Sequence, residues 1–172
     1  MKIFAVGDNL ESWLLSEKKL MWQQRTSPSL AWLMPQLGFW EPDEVLVETP
    51  EKNYTVMDYQ KLFSDLEEPH AMLMREDTEH LLSGLPPPQV EVFCVHGSGV
   101  DTTEKLVYKE GEFPGSDPSL ILKGNGDGTV NWRSLIGCTR WDGQQDQVVH
   151  HHVLPGVDHL GVSDGAEDGG VV

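Results

Sequence analysis

The chain has 172 residues, 38% hydrophobic and 23% charged, which suits one soluble globular domain. Its 28 Asp and Glu against 12 Lys and Arg give a net charge of −16, which repels phosphate backbones and excludes nucleic acid as a partner. No stretch reaches the roughly 18 consecutive apolar residues of a membrane span, and Met1-Lys2-Ile3-Phe4-Ala5-Val6 is too short for a secretory h-region, so neither anchor nor signal peptide is expected in this chain.

From Leu10 to Gln24, Trp13, Leu14, Leu20, Met21 and Trp22 stand among charged residues with partial helical periodicity, which predicts a short amphipathic helix or a flap. Pro28, Pro35 and Pro42 forbid one long helix over residues 26–43, where Trp32, Phe39 and Trp40 mark an aromatic loop region. Val45 to Val47 predicts a brief strand, ended by Pro50. Thr55 is a candidate N-cap for a helix through Tyr59, Leu62 and Phe63, whose spacing puts three apolar side chains on one face. A second helix is predicted over Ala71 to Leu82. Pro86-Pro87-Pro88 stops regular structure, and the β-branched run Val90 to Val95 that follows is the clearest strand in the chain.

Shorter strands at Lys105 to Lys109 and Ser119 to Leu122 read as a hairpin around the Gly- and Pro-bearing loop 111–118. A helix is predicted from near Asn131, carrying Trp132, Leu135 and Ile136 inward, and Val148 to Leu154 is a last strand ended by Pro155-Gly156. The final twelve residues, with four Gly and no aromatic, have the composition of a disordered tail. Strands alternating with helices define an α/β class, yet only two strands are long and apolar enough for a central sheet, so the sheet is expected to be incomplete.

Two loop residues carry the chemistry. Asp127 sits in Gly126-Asp127-Gly128-Thr129-Val130 after one predicted strand, and His159 follows another in Pro155-Gly156-Val157-Asp158-His159. That order fits the last two members of a Ser, Asp, His triad, in which the carboxylate fixes the imidazole tautomer and the imidazole takes the nucleophile's proton. A turn-building Asp and a surface His would show the same letters. Ser98 lies between glycines, but the nucleophile elbow needs Gly two residues to either side, where this chain has His96 and Val100; Ser98 fails, no other Ser is expected to meet G-x-S-x-G, and no nucleophile is assigned.

Other candidates carry less. Asn125, Asp127 and Gly128 brush a calcium loop, but Lys123 and Ser134 would occupy its first and twelfth positions, so calcium is rejected. His150-His151-His152 on a strand would alternate faces, which argues for a half-exposed strand rather than a metal site. Cys94 and Cys138 lack C-x-x-C spacing and are either one bridge or two buried thiols. Asn53-Tyr54-Thr55 is an N-glycosylation sequon, meaningful only in the secretory pathway.

Several longer motifs, taken together, spell a resemblance. Gly7-Asp8-Asn9, Gln23-Gln24-Arg25, Trp32-Leu33-Met34-Pro35, Val45-Leu46-Val47-Glu48-Thr49-Pro50, Asn53-Tyr54-Thr55, Asp58-Tyr59, Met74-Arg75-Glu76-Asp77-Thr78-Glu79, Cys94-Val95-His96-Gly97-Ser98-Gly99-Val100 and Gly126-Asp127-Gly128-Thr129-Val130-Asn131 keep an order. From about Lys2 to Leu160 the chain resembles the lecithin–cholesterol acyltransferase family, nearer to its lysosomal phospholipase A branch. The resemblance implies the C-terminal part of an α/β-hydrolase: a lid and cap region over about 8–85, the last core strands and catalytic loops over about 89–160, and a tail at 161–172. It implies Asp127 as catalytic acid, His159 as catalytic base, a Cys94–Cys138 disulfide and glycosylation at Asn53, with no cofactor and no metal.

The implied reaction cleaves phospholipid acyl esters through an acyl-enzyme and passes the acyl group to water or a lipid alcohol at a membrane surface. The implied location is lysosomal or secreted for the full-length protein. In the family the elbow, the oxyanion donors and the first strands precede the residue matched by Met1, so this chain is expected to begin mid-domain and to be inactive alone. After Leu160 the family continues into an apolar helix that residues 162–170 do not match. The alternative expectation is a non-catalytic truncated protein that binds lipid or a partner.

Overall fold

The computed structural model describes residues 24–82 and 84–164. Nearly all of the predicted flap at 10–24, and the tail from residue 165, therefore lie outside the described residues. Those described fall in two compact units, one taking residues before Gly84 together with Lys105–Leu122, the other Gly84–Glu104 together with residues from Lys123 onward.

In the first unit proline sets where helices begin. Helices α1 (Pro28–Trp32) and α3 (Pro69–Thr78) each have Pro in their first positions, where the missing N–H has no intrahelical partner to lose. Between them, α2 (Tyr59–Asp65) buries Tyr59, Leu62 and Phe63, the face that the spacing predicts. Thr55 is not its cap. The helix starts at Tyr59 behind Asp58, and Thr55 closes the preceding turn instead: its N–H and its hydroxyl both donate to Asp58 Oδ2, each at 3.0 Å. The second predicted helix ends earlier as an α-helix, at Thr78, and tightens into a 3₁₀ turn over Glu79–Leu82.

Strands β1 (Val47–Glu48) and β2 (Asn53–Tyr54) pair antiparallel, with Val47 opposite Tyr54. Strand β4 (Val100–Val107) lies parallel to β1, Val47 facing Leu106, and β5 (Leu120–Gly126) completes the order β2-β1-β4-β5. Both β4 and β5 exceed the predicted strands, β4 by five residues at its start and β5 by four at its end. The reason lies at Gly99, whose φ of +76° turns the chain straight from β3 (Val92–Ser98) into β4 with one residue between them.

The core of this unit is apolar: Leu46, Val47, Leu62, Phe63 and Leu106 are at most 1% exposed. A buried cation threads it, since the Arg75 guanidinium lies 4.4 Å from the Tyr59 ring centre and donates to the carbonyls of Ala31 and Pro35.

In the second unit β3 pairs parallel with β6 (Val149–Pro155), in register from Val92 opposite Val149 to Ser98 opposite Pro155. The predicted strands are therefore shifted toward their C-termini, because the partner strand supplies backbone bonds through His96-Gly97-Ser98. The predicted helix at Asn131 shortens to α4 (Trp132–Leu135) and continues as a 3₁₀ turn over Ile136–Trp141. Trp132, Leu135 and Ile136 are half-buried rather than inward. Cys94 on β3 and Cys138 in that turn are joined as a disulfide. A last helical turn, α5 (Gly161–Asp164), occupies the start of the segment whose composition predicts a disordered tail. Parallel and antiparallel strands with interspersed helices make a mixed α/β fold with a partial sheet. Among the described residues no helix is long and apolar enough to cross a membrane.

Candidate acid–histidine site

The parallel pair β3–β6 brings the C-terminal ends of two strands to one place. Gly97, near the end of β3, is the close contact that makes this possible, because a Cβ there would stand 1.9 Å from the Val157 carbonyl oxygen and 3.3 Å from Asp127 Cβ. Only glycine lets the loop carrying His159 approach the strand. Gly126 does the same on the other side: a Cβ would meet Thr102 Oγ1 and the Val130 carbonyl oxygen, both at 2.3 Å. These two glycines define the room in which Asp127 and His159 sit.

Asp127 is 2% exposed, and the surrounding bonds hold it on every side. Its N–H donates to the Val130 carbonyl at 3.2 Å, and its carbonyl accepts from the His159 N–H at 2.8 Å. Its Oδ1 accepts from the amides of Thr129 at 3.0 Å and Val130 at 2.7 Å. Its Oδ2 lies 2.8 Å from His159 Nδ1. Burial alone raises the carboxyl pKa; the Val130 amide, the His159 ring and the Thr129 amide together outweigh it and hold Asp127 below the ordinary carboxylate range. An ionised carboxylate accepts only, so His159 Nδ1 donates to it and Nε2 keeps its lone pair. The His159 side chain is 48% exposed, so the imidazole is fixed at one edge and accessible at the rest.

That arrangement is the one used by enzymes in which a histidine relays a proton for a nucleophile: a buried acid, an oriented ring and a basic nitrogen turned away from the acid. Asp127 and His159, singled out in the sequence, are thus brought together. Ser98 is buried at the end of β3, and its carbonyl accepts the Gly156 N–H at 2.7 Å. Asn125, considered above for calcium, spends its Oδ1 on the Gly99 N–H at 2.8 Å. Asn53 is exposed on β2.

Contrary to the expectation that no Ser meets the elbow pattern, Gly161-Val162-Ser163-Asp164-Gly165 spells it once. Ser163 lies inside α5, its hydroxyl donating to the Leu160 carbonyl at 2.6 Å, and its φ is not positive. It follows the His in the chain and lacks the strained strand-to-helix turn that presents a nucleophile.

The lecithin:cholesterol acyltransferase family model matches residues 1–167. Over 160 residues, 93% of this chain, it is 42% identical to a phosphatidylcholine-sterol acyltransferase of Gallus gallus and 39% identical to a lysosomal phospholipase A and acyltransferase of Homo sapiens. It is also 39% identical to the phosphatidylcholine-sterol acyltransferase of Homo sapiens. The chain belongs to the lecithin:cholesterol acyltransferase family, whose fold is α/β-hydrolase-like. It spans 38% of the length of the first two relatives and 36% of the third. The two branches match about equally, so the nearness to the lysosomal branch suggested by the motifs is not reflected in identity.

Proposed function

We propose that this chain supplies the acid and the base of a Ser-Asp-His acyl-transfer site acting on glycerophospholipids. The observation that carries the reading is the 2.8 Å bond from His159 Nδ1 to the buried Asp127 carboxylate. In this reading a serine attacks the acyl ester while His159 Nε2 accepts its proton, and the lysophospholipid leaves with that proton. His159 then activates the acceptor, water or a lipid alcohol, which takes the acyl group from the serine. Asp127 keeps the ring in the Nδ1–H tautomer and balances the imidazolium that forms.

Family membership supports the remaining roles in this reading. The region at about 8–85 serves as lid and cap facing lipid, residues of about 89–160 as the last core strands and catalytic loops, and residues 161–172 as a tail. Asn53 is exposed where a glycan would attach, and Cys94–Cys138 suits an oxidising lysosomal or secreted setting. The nucleophile is not assigned to these residues, so the 172-residue chain alone is inactive in this reading.

The test is phospholipid ester cleavage by the longest reading frame that contains this sequence. Asp127→Asn is expected to cut kcat by roughly 10⁴, and His159→Ala by at least as much, with folding retained by circular dichroism. Activity within tenfold of wild type in a folded His159→Ala variant would overturn the assignment.

A further inference from the structure

A histidine pair, apart from Asp127 and His159, lies in the same unit. His96 on β3 is 5% exposed, and its Nε2 stands 2.8 Å from His151 Nε2 on β6. Its other nitrogen, Nδ1, is 2.8 Å from the Gly97 carbonyl oxygen. A carbonyl can only accept, so Nδ1 carries the proton and His96 Nε2 keeps a lone pair; the short contact is then a donation from His151 Nε2–H to His96 Nε2. The Trp132 ring on α4 stands nearly perpendicular to the His96 ring, their centres 5.3 Å apart.

This geometry counts protons. One added proton can go to His151 Nδ1 and leaves the N–H···N bond intact. A second must go to His96 Nε2, where two N–H groups would point at each other across 2.8 Å, so the pair must open. The groups around it offer no compensation. From β6, His152 can add only positive charge; from α4, Arg133 is paired with Glu104 at 3.1 Å; and the Asp127 carboxylate is already engaged by His159 and two amides. His150, on the other face of β6, reaches Glu91 instead.

The pair is wired to the acid–histidine loop through one residue. Gly97, whose carbonyl anchors His96, is the residue against which Val157 and Asp127 pack. We propose that His96 and His151 form an acid-opened latch on the loop that carries His159, closed at neutral pH and released when the second proton arrives.

Burial pushes the His151 ring pKa down, and the His96 and His152 rings add to it. A histidine depressed in the folded state binds fewer protons than it does unfolded, so its stabilisation is complete above about pH 6.5 and is lost as pH falls below that value. Coupling to catalysis rests on the reading of His159 as the base, whereas the latch itself is read without any acyl transfer.

The experiment compares the whole chain with its His151→Gln variant, whose amide donates to His96 Nε2 when that nitrogen is bare and can present its oxygen when it is protonated. The two should melt within about a degree of each other at pH 7.5. Wild type should then lose roughly 2–4 °C more than the variant between pH 7.5 and pH 5. In wild type, ¹⁵N spectra should show His96 as the Nδ1–H tautomer at pH 7.5, and the Gly97 and Val157 amides should shift with the second ring titration. Parallel melting curves, or a Gly97 amide that ignores the titration, would overturn the latch. If the variant does not fold, the wild-type ring and amide titrations decide alone.

Discussion

In the unit that carries Leu62 and Phe63, the buried side chains are mainly hydrocarbon, and every buried hydrophobic residue of the described core belongs to it. In the unit that carries Asp127 and His159, the buried side chains are His96, Ser98, Thr102 and Asp127, with a disulfide beside them. The first kind of interior is non-directional: apolar area leaves water, at roughly 25 cal/mol per Å², whichever way it packs. The second stabilises only while each polar atom meets its partner at the right angle. A site that must fix one histidine tautomer needs the directed kind. The comparison therefore predicts that the first unit answers to volume and the second to single atoms.

The largest effect is expected where volume is removed from the hydrocarbon interior. Phe63 is fully buried and stacks on Tyr59 with ring centres 5.7 Å apart. Phe63→Ala should cost about 3–5 kcal/mol, and Phe63→Leu distinctly less, in urea unfolding followed by amide exchange in α2. If both substitutions cost the same, the interior of this unit is not governed by packing.

Next comes the covalent tie of the second unit. Cys94 and Cys138 close a loop of sequence separation 44, for which chain entropy gives about 4 kcal/mol. Replacing both by Ala should lower protection of the β3 and β6 amides by that order while α2 keeps its own. Uniform loss across both units would show that they unfold as one.

What could be read in the sequence follows the same division. The buried face of α2 was legible because helical periodicity reports burial, whereas α1, five residues from Pro28 inside a stretch read as an aromatic loop, was too short to show a period. Asp127 and His159 were legible as letters in a family order, but their contact was not, because it depends on the β3–β6 register and on the missing Cβ atoms of Gly97 and Gly126. The full length of β4 was hidden by Asp101, Thr102 and Thr103, polar letters in a strand where Thr102 is nonetheless buried. The His96–His151 contact was hidden too. It joins positions 55 apart that only parallel pairing brings side by side.

The smallest effect is also the sharpest test of directed bonds. Asp127→Asn keeps shape and volume but removes the charge that accepts from His159 and from two amides, so the loss should be about 1–3 kcal/mol at pH 7 in urea unfolding. Because the folded Asp127 carboxyl titrates below its unfolded value of about 3.9, its contribution is complete above that pH and is lost as pH falls through the lower folded value. The gap between wild type and Asp127→Asn should therefore not shrink from pH 7 to about pH 5 and should close only in stronger acid. The His151 ring, by contrast, begins to give up its contribution as pH falls below about 6.5. The two acid limbs are separated: the histidine limb begins at a higher pH than the one at which the acid that orients His159 takes up its proton. A gap that already closes between pH 6.5 and pH 5 would mean that burial outweighs the Thr129 and Val130 amides and that the Asp127 carboxyl takes up its proton in that range.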